Sequence, residues 1–184
     1  GKSARFRAKA LREGGENASY SREFAFSKST GRPAVLNTKP NDSYTFEGAS
    51  LLVDGYHSRP VFTSGAWLGY LDEPLDVTID MGGEQSYRSV ELETLAEKGD
   101  WIFPPSSVTV WVSDNGTDFT EVASVTVPEA KAGDADGIGR YRMQFPETSA
   151  RYLKVVAQNA AAIPAWHPGA GSKGFLFVDE IVVE

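Results

Sequence analysis

An all-β sandwich, most simply a jelly roll, is the fold class that this 184-residue sequence predicts. Three observations carry it. Apolar and polar residues alternate with period 2 in several short runs. Turn signals rich in Gly, Pro and Asn separate those runs. Helical periodicity is weak everywhere, and many short strands punctuated in this way suggest a sandwich or jelly roll.

The elements follow in chain order. Residues 4–11 read as an alternating basic strand, 12–19 (R-E-G-G-E-N-A-S) as a turn and 20–26 as a second strand. A hairpin this small does not fold alone, so it is either the stub of a preceding β domain or a pair of strands added to the main sandwich. Residues 27–44, with Pro33 and Pro40, read as a polar linker, and a soft boundary falls near Ser29 to Pro33. The chain thus divides into a hairpin or linker at 1–30 and one domain at 31–184. Residues 75–81 (L-D-V-T-I-D-M) place Leu75, Val77, Ile79 and Met81 on one face, and 89–95 (S-V-E-L-E-T-L) repeat the pattern. Residues 107–113 (S-V-T-V-W-V-S) and 151–157 (R-Y-L-K-V-V-A) alternate as well. The separating turns are Met81-Gly82-Gly83, Pro104-Pro105, Asp114-Asn115-Gly116 and Pro146. The one helix-tolerant stretch, 158–163, is short and stops at Pro164.

Composition excludes several function classes. The sequence is 41% hydrophobic and 23% charged, ordinary for a globular domain. No cysteine is present, which removes disulfide scaffolds, zinc–thiolate sites and cysteine nucleophiles. The net charge of −7 argues against a non-specific nucleic-acid binder, which needs a basic face. No apolar run approaches the roughly 18 residues of a membrane helix. The chain opens with Gly1-Lys2-Ser3-Ala4-Arg5, which is no signal peptide, so either an export signal has been trimmed or the chain is a fragment. A domain of this size can bury enough apolar surface without disulfides, so the absence of cysteine suits either redox compartment.

From about Gly31 onward the sequence resembles the discoidin-like domain, also called the coagulation factor 5/8 type C domain, whose fold is shared by family 32 carbohydrate-binding modules. The resemblance rests on ordered blocks. They are Ser50-Leu51-Leu52-Val53-Asp54-Gly55, Trp67-Leu68-Gly69-Tyr70, Asp76 to Gly82, Val110 to Phe119, Ala150 to Val155 and Val178-Asp179-Glu180-Ile181. Gly99-Asp100-Trp101-Ile102-Phe103 and Ile163 to Gly171 look like the version found at the C-terminus of bacterial family 20 β-N-acetylhexosaminidases, the chitobiase-like enzymes. The hairpin at 2–26 is similar to the last strands of the small β-sandwich that precedes the module there. The resemblance therefore implies a discoidin-like jelly-roll β-sandwich preceded by a β-hairpin remnant. It also implies a catalytic domain upstream in the same chain and a periplasmic, cell-surface or secreted bacterial protein.

Candidate functional residues are the aromatics of irregular loops. Trp67 and Trp111 lie in or beside strands and read as structural, Trp111 on the face opposite Val108, Val110 and Val112. Trp101, in G-D-W-I-F-P-P, and Trp166, in I-P-A-W-H-P-G-A-G, sit where proline and glycine hold rigid loops. A flat ring on such a loop offers an apolar platform to a pyranose while nearby polar groups fix the hydroxyls. By the resemblance, the loop after Asp54-Gly55 belongs to the ligand end, which makes Tyr56, His57 and Arg59 sugar contacts, with His167 a fourth polar contact and Lys173 a weaker one. Each has a plain structural alternative: loop packing or an exposed turn.

No cofactor is required. The resemblance implies a structural calcium ion held by Asp54 and Glu180, completed by backbone carbonyls and a hydroxyl such as Ser58 or Thr63. Tyr56 stands where relatives often carry another oxygen ligand, which weakens that set. Gly133-Asp134-Ala135-Asp136-Gly137 opens like an EF-hand loop, but Phe145 occupies the closing position, so it reads as a solvated loop. Catalysis within this chain is not expected. Asp179-Glu180 is the tempting acid pair, but neighbours on a regular strand point to opposite faces. No G-x-S-x-G elbow and no phosphate-binding glycine loop is present. The expected function is therefore non-catalytic binding of glycans of the galactose, N-acetylgalactosamine or N-acetylglucosamine type, as an accessory module. The rival is a module that only packs against its neighbouring domains. Lipid-surface binding, as in animal relatives of the family, fits the acidic charge least.

Overall fold

A computed structural model describes residues 3–10 and 18–184, with side chains from Phe24 onward. Strands β1 (Ser3–Ala10) and β2 (Ala18–Ala25) pair antiparallel as a separate two-stranded sheet. The turn expected between them lies mostly outside the described residues. The hairpin is tied to the larger domain at its end, by a bridge between Phe24 and Tyr56 and by the Ala25 N–H donating to the Gly55 carbonyl at 2.8 Å.

The larger sheet holds β3 (Ala34–Leu36), β4 (Leu68–Tyr70), β5 (Leu75–Ala96), β6 (Ser107–Ser113), β7 (Thr120–Thr126), β8 (Gly137–Gln158) and β9 (Leu176–Val183). Its hydrogen-bonded order is β4-β9-β5-β8-β6-β7, with β3 paired to β5. The expected all-β jelly-roll sandwich is the observed architecture. β3 falls inside the expected linker, since three residues are too few for alternation to be read.

The runs at 75–81 and 89–95 are two halves of one strand. β5 bends where Met81-Gly82-Gly83 reads as a turn: Gly82 takes φ 78°, and the register with β8 shifts between Asp80 and Gln85. β8 follows β5 along its whole length, from Ala157 beside Leu75 to Gly137 beside Ala96. Pro146 sits not in a turn but in the second irregularity, between the pairs Tyr87–Thr148 and Ser89–Gln144. A proline, lacking an N–H, is tolerated in a strand at such a bulge. The bends carry both long strands from one layer into the other. The first half of β5 pairs with β3 and the second half with β9. The two layers enclose a core that includes Val77, Ile79, Leu92, Val110, Leu153, Val178 and Ile181. Fully burying each such side chain stabilises the fold by roughly 1.5–3 kcal/mol.

Trp111 lies on the outer face while Val108 and Val110 are fully buried. Trp67 is fully buried, as its structural reading requires, and its Nε1–H donates to the Arg59 carbonyl at 3.0 Å. It packs with Leu95, Ile102 and Phe177 in a second apolar cluster. In the stretch 158–163, Gln158 ends β8 and 159–163 are irregular rather than helical, and no helix among the described residues is long and apolar enough to cross a membrane.

Candidate ligand-binding site

The sequence-derived candidates fall into two clusters. The first is built from the loops that leave β5 and β8. After β5, Glu97 and Ile102 bridge each other, and the tight turn Lys98–Asp100 between them ends on Trp101. Trp101 takes φ 63°, a left-handed conformation that costs a non-glycine residue energy and is concentrated at functional sites. Its side chain is 43% exposed, large for an indole at the end of a rigid turn. Trp166, 39% exposed, hangs from the 159–175 loop, and its Nε1–H donates to the Ala130 carbonyl at 2.9 Å.

His167 lies between the two indoles and is buried. The Gly169 N–H donates to its Nδ1 at 3.0 Å, and its Nε2 stands 2.9 Å from the Lys98 carbonyl. Both ring nitrogens are therefore committed to backbone groups. This reassigns His167: it cannot serve as the polar sugar contact that its loop position suggests.

A groove of about 330 Å³ opens on the same side, walled by 103–106, 127–130 and 160–165. Its walls are mostly proline, alanine and Phe103, with Glu129 among the few polar side chains. Phe103 and Trp166 stand 6.4 Å apart, so groove and platform adjoin. Glu97 and Asp100 belong to the turn that ends on Trp101; burial, with Asp100 beside it, holds the Glu97 carboxyl above its ordinary value. These carboxylates can accept hydroxyl hydrogen bonds, and nothing local in the sequence marks them for that role. The Gly133–Gly137 stretch is the solvated loop that its composition suggests, except that Asp136 pairs with the Lys98 ammonium. Lys173 reaches Asp72 at 2.7 Å.

The second cluster surrounds the Asp54-Gly55 turn. His57 Nδ1 stands 2.8 Å from Oε2 of Glu93, which also accepts from Arg140 Nε at 2.9 Å. The hydrogen bond to Glu93 raises the His57 pKa. Tyr56 packs against Phe24 with ring centroids 5.8 Å apart, and Arg59 is exposed. No described contact joins Tyr56, His57 and Arg59 to Trp101 and Trp166. The Trp67 cluster lies between the two sets, touching Arg59 through its carbonyl and Trp101 through the neighbouring Ile102.

A β-bulge organises this second cluster. Leu92 pairs with Ile181 and Thr94 with Val178, so Glu93 alone opposes Asp179 and Glu180. The extra residue breaks the strand's alternation and re-aims its side chains. That corrects the expectation of opposite faces: both carboxylates serve one loop. Ser58 donates its N–H and its hydroxyl to Asp179 at 2.7 and 3.1 Å, and the Gly55 N–H donates to Glu180 Oε2 at 3.1 Å. Both are almost fully buried, which keeps them from acting on a sugar. Burial drives Asp179 up to about 7 and Glu180 up to about 9, the latter helped by the neighbouring Asp54.

The calcium expectation can be set against these groups. In favour stands Glu180 Oε1, buried and without a partner among the described residues, with the Asp54 charge beside it. A protonated carboxyl there finds no acceptor, whereas a cation satisfies the oxygen. The Ser58 hydroxyl donates its hydrogen to Asp179, which leaves only its oxygen lone pairs to face an ion. Among the described residues no three acidic, histidine or cysteine side chains form a metal-holding group, so backbone oxygens would have to supply most of the shell.

Solved structures show the fold. The chain is similar to the Clostridium perfringens module CpGH89CBM32-5 in complex with GalNAc-β-1,3-galactose, with TM-score 0.57 and 16% identity over 86% of this chain and 99% of that one. Chitosan-binding module 1, derived from the chitosanase/glucanase of Paenibacillus sp. IK-5, gives TM-score 0.55 and 17% identity over 86% and 98%. A Streptococcus pneumoniae fucose binding module gives 0.52 and 21% over 86% and 94%. No curated protein matches the chain. The family model of the F5/8 type C domain matches residues 36–173, from the end of β3 through the loop that bears Trp166, and the chain belongs to that family.

Proposed function

We propose that this domain is a non-catalytic carbohydrate-binding module whose ligand stacks on Trp101 and Trp166. One observation carries the reading: two half-exposed indoles are fixed on rigid loops around one buried histidine, beside an apolar groove. Indoles fixed in this way stack on the C–H face of a sugar without the entropy cost of ordering a mobile loop. Glu97 and Asp100 supply hydroxyl acceptors, and Glu129 can do so at the groove. Tyr56, His57 and Arg59 contribute polar contacts to a ligand long enough to pass the Trp67 cluster. The similar modules named above bind GalNAc-β-1,3-galactose, chitosan and fucose, which supports a glycan ligand here.

The finer reading is an accessory module of an exported bacterial family 20 β-N-acetylhexosaminidase, presenting galactose, N-acetylgalactosamine or N-acetylglucosamine glycans to a catalytic domain in the same chain. It rests on the blocks 99–103 and 163–171, which contain both candidate tryptophans. Affinity for a single sugar is expected to be weak, and a tethered catalytic site adds retention by avidity. Calcium belongs to the same proposal: Asp54 and Glu180 would hold the ion, which supplies positive charge to a buried acidic cluster. A glycan array followed by sugar titration of the Trp101→Ala and Trp166→Ala variants tests the main reading. Binding that survives both substitutions places the ligand elsewhere.

A further inference from the structure

His167 lies between the two tryptophans. Its ring centroid is 6.1 Å from that of Trp101 and 5.6 Å from that of Trp166, with interplanar angles of 88° and 82°. Phe103 closes a third side at 5.5 Å and 85°. The Gly169 N–H can donate only to a bare nitrogen, so Nδ1 is unprotonated and Nε2 carries the hydrogen. That hydrogen is donated to the carbonyl of Lys98, the residue opening the turn that ends on Trp101. One imidazole therefore joins two loops that are distant in sequence and sets the positions of both indoles. Gly169, held by this ring, is also the residue on which Trp101 rests, 2.9 Å from where its Cβ would stand. The two centroid distances put the indoles at most about 12 Å apart, and among the described ring contacts none joins the two indoles directly. One pyranose covers one indole; reaching the second platform takes a further ring.

Building on the carbohydrate reading above, we propose that His167 is a positioning residue that locks Trp101 and Trp166 into one double platform, spaced for a glycan of more than one sugar ring. The residue itself touches no ligand. Its contribution is geometric, and it appears as the gain in affinity when a ligand grows from one ring to several.

The test titrates N-acetylglucosamine, its dimer and its tetramer, with the matching galactose series, into the whole chain and into His167→Phe. His167→Asn is the companion variant, since its side-chain oxygen can still accept from Gly169. The indole N–H resonances of Trp101 and Trp166 are followed by NMR with and without sugar. The expected result is at least a tenfold affinity gain from monomer to tetramer. His167→Phe loses that gain, His167→Asn recovers part of it, and the melting temperature of the sandwich changes little. Without sugar, His167→Phe broadens or shifts both indole signals together. A tetramer that gains nothing over the monomer, or a His167→Phe protein that keeps the gain, overturns the proposal. If no sugar binds the native chain, the carbohydrate reading fails on its own. Unaltered indole signals in ligand-free His167→Phe then reject the positioning role separately.

Discussion

A Cβ atom placed on Gly169 would stand 2.9 Å from Cζ2 of Trp101 and 3.0 Å from Cη2. The indole rests on a glycine backbone, and a methyl group there must displace the ring. The backbone of Gly169 does not take a positive φ, so alanine is excluded by contact rather than by conformation. Gly169→Ala is expected to weaken glycan binding about tenfold, equivalent to about 1.4 kcal/mol, with the melting temperature within a few degrees of native. Calorimetric titration and thermal melting check both halves.

The acidic cluster under the Asp54-Gly55 loop predicts a pH dependence of stability. Asp179 and Glu180 have native values of about 7 and about 9, against ordinary values of 3.8 and 4.5. The folded protein therefore binds more protons than the unfolded chain between about pH 4 and those native values, and stability falls as pH rises through that window. His57 acts in the same direction. Its raised pKa makes the Glu93 pair fully stabilising below 6.5 and lost above the native value. In the absence of divalent cations the melting temperature should drop by on the order of 10 °C between pH 5 and pH 9. Asp179→Asn and Glu180→Gln should each flatten that slope. A melting temperature that rises over this range contradicts the account.

Much of the fold is legible in the sequence because a half-buried strand writes its burial as alternation. Val108, Val110 and Val112 point inward as their spacing implies, and so do Leu75, Val77, Ile79 and Met81. β9 is less legible by that rule: Leu176 to Ile181 are all buried, since the 48–53 turn and the 54–58 loop cover its outer side. The bulge at Asp179-Glu180 leaves no local mark. It is a property of the pairing with β5, as is the partnership of Glu93 with His57 and Arg140. Trp101 and Trp166 are readable as loop aromatics from their Pro and Gly neighbours. The role of His167 is not, because one of its hydrogen-bond partners, Lys98, lies 69 residues away in the chain.

Calcium is expected to raise the melting temperature by a few degrees over the same protein in EDTA, most strongly above pH 7 where the buried carboxyls are more fully ionised. Glu180→Gln and Asp54→Asn should each abolish the increment. Identical melting with and without calcium removes the ion from the account and leaves the carboxyls protonated in the folded state.

Trp67 joins the loop after Asp54 to the base of the Trp101 turn, packing with Ile102 while its Nε1–H holds the Arg59 carbonyl. Trp67→Phe keeps most of the buried area but leaves that carbonyl without its donor. A loss of about 1–3 kcal/mol is expected in denaturant unfolding, with a smaller effect on glycan affinity than Trp101→Ala produces.

NMR titration with hexosamines and galactosides at millimolar concentration decides whether the indoles of Trp101 and Trp166 are a glycan platform. Both indole N–H resonances and residues lining the adjoining groove should shift, and Trp101→Ala or Trp166→Ala should abolish those shifts without unfolding the domain. Unmoved indole resonances with every sugar would contradict that role and assign these loops to packing against a neighbouring domain.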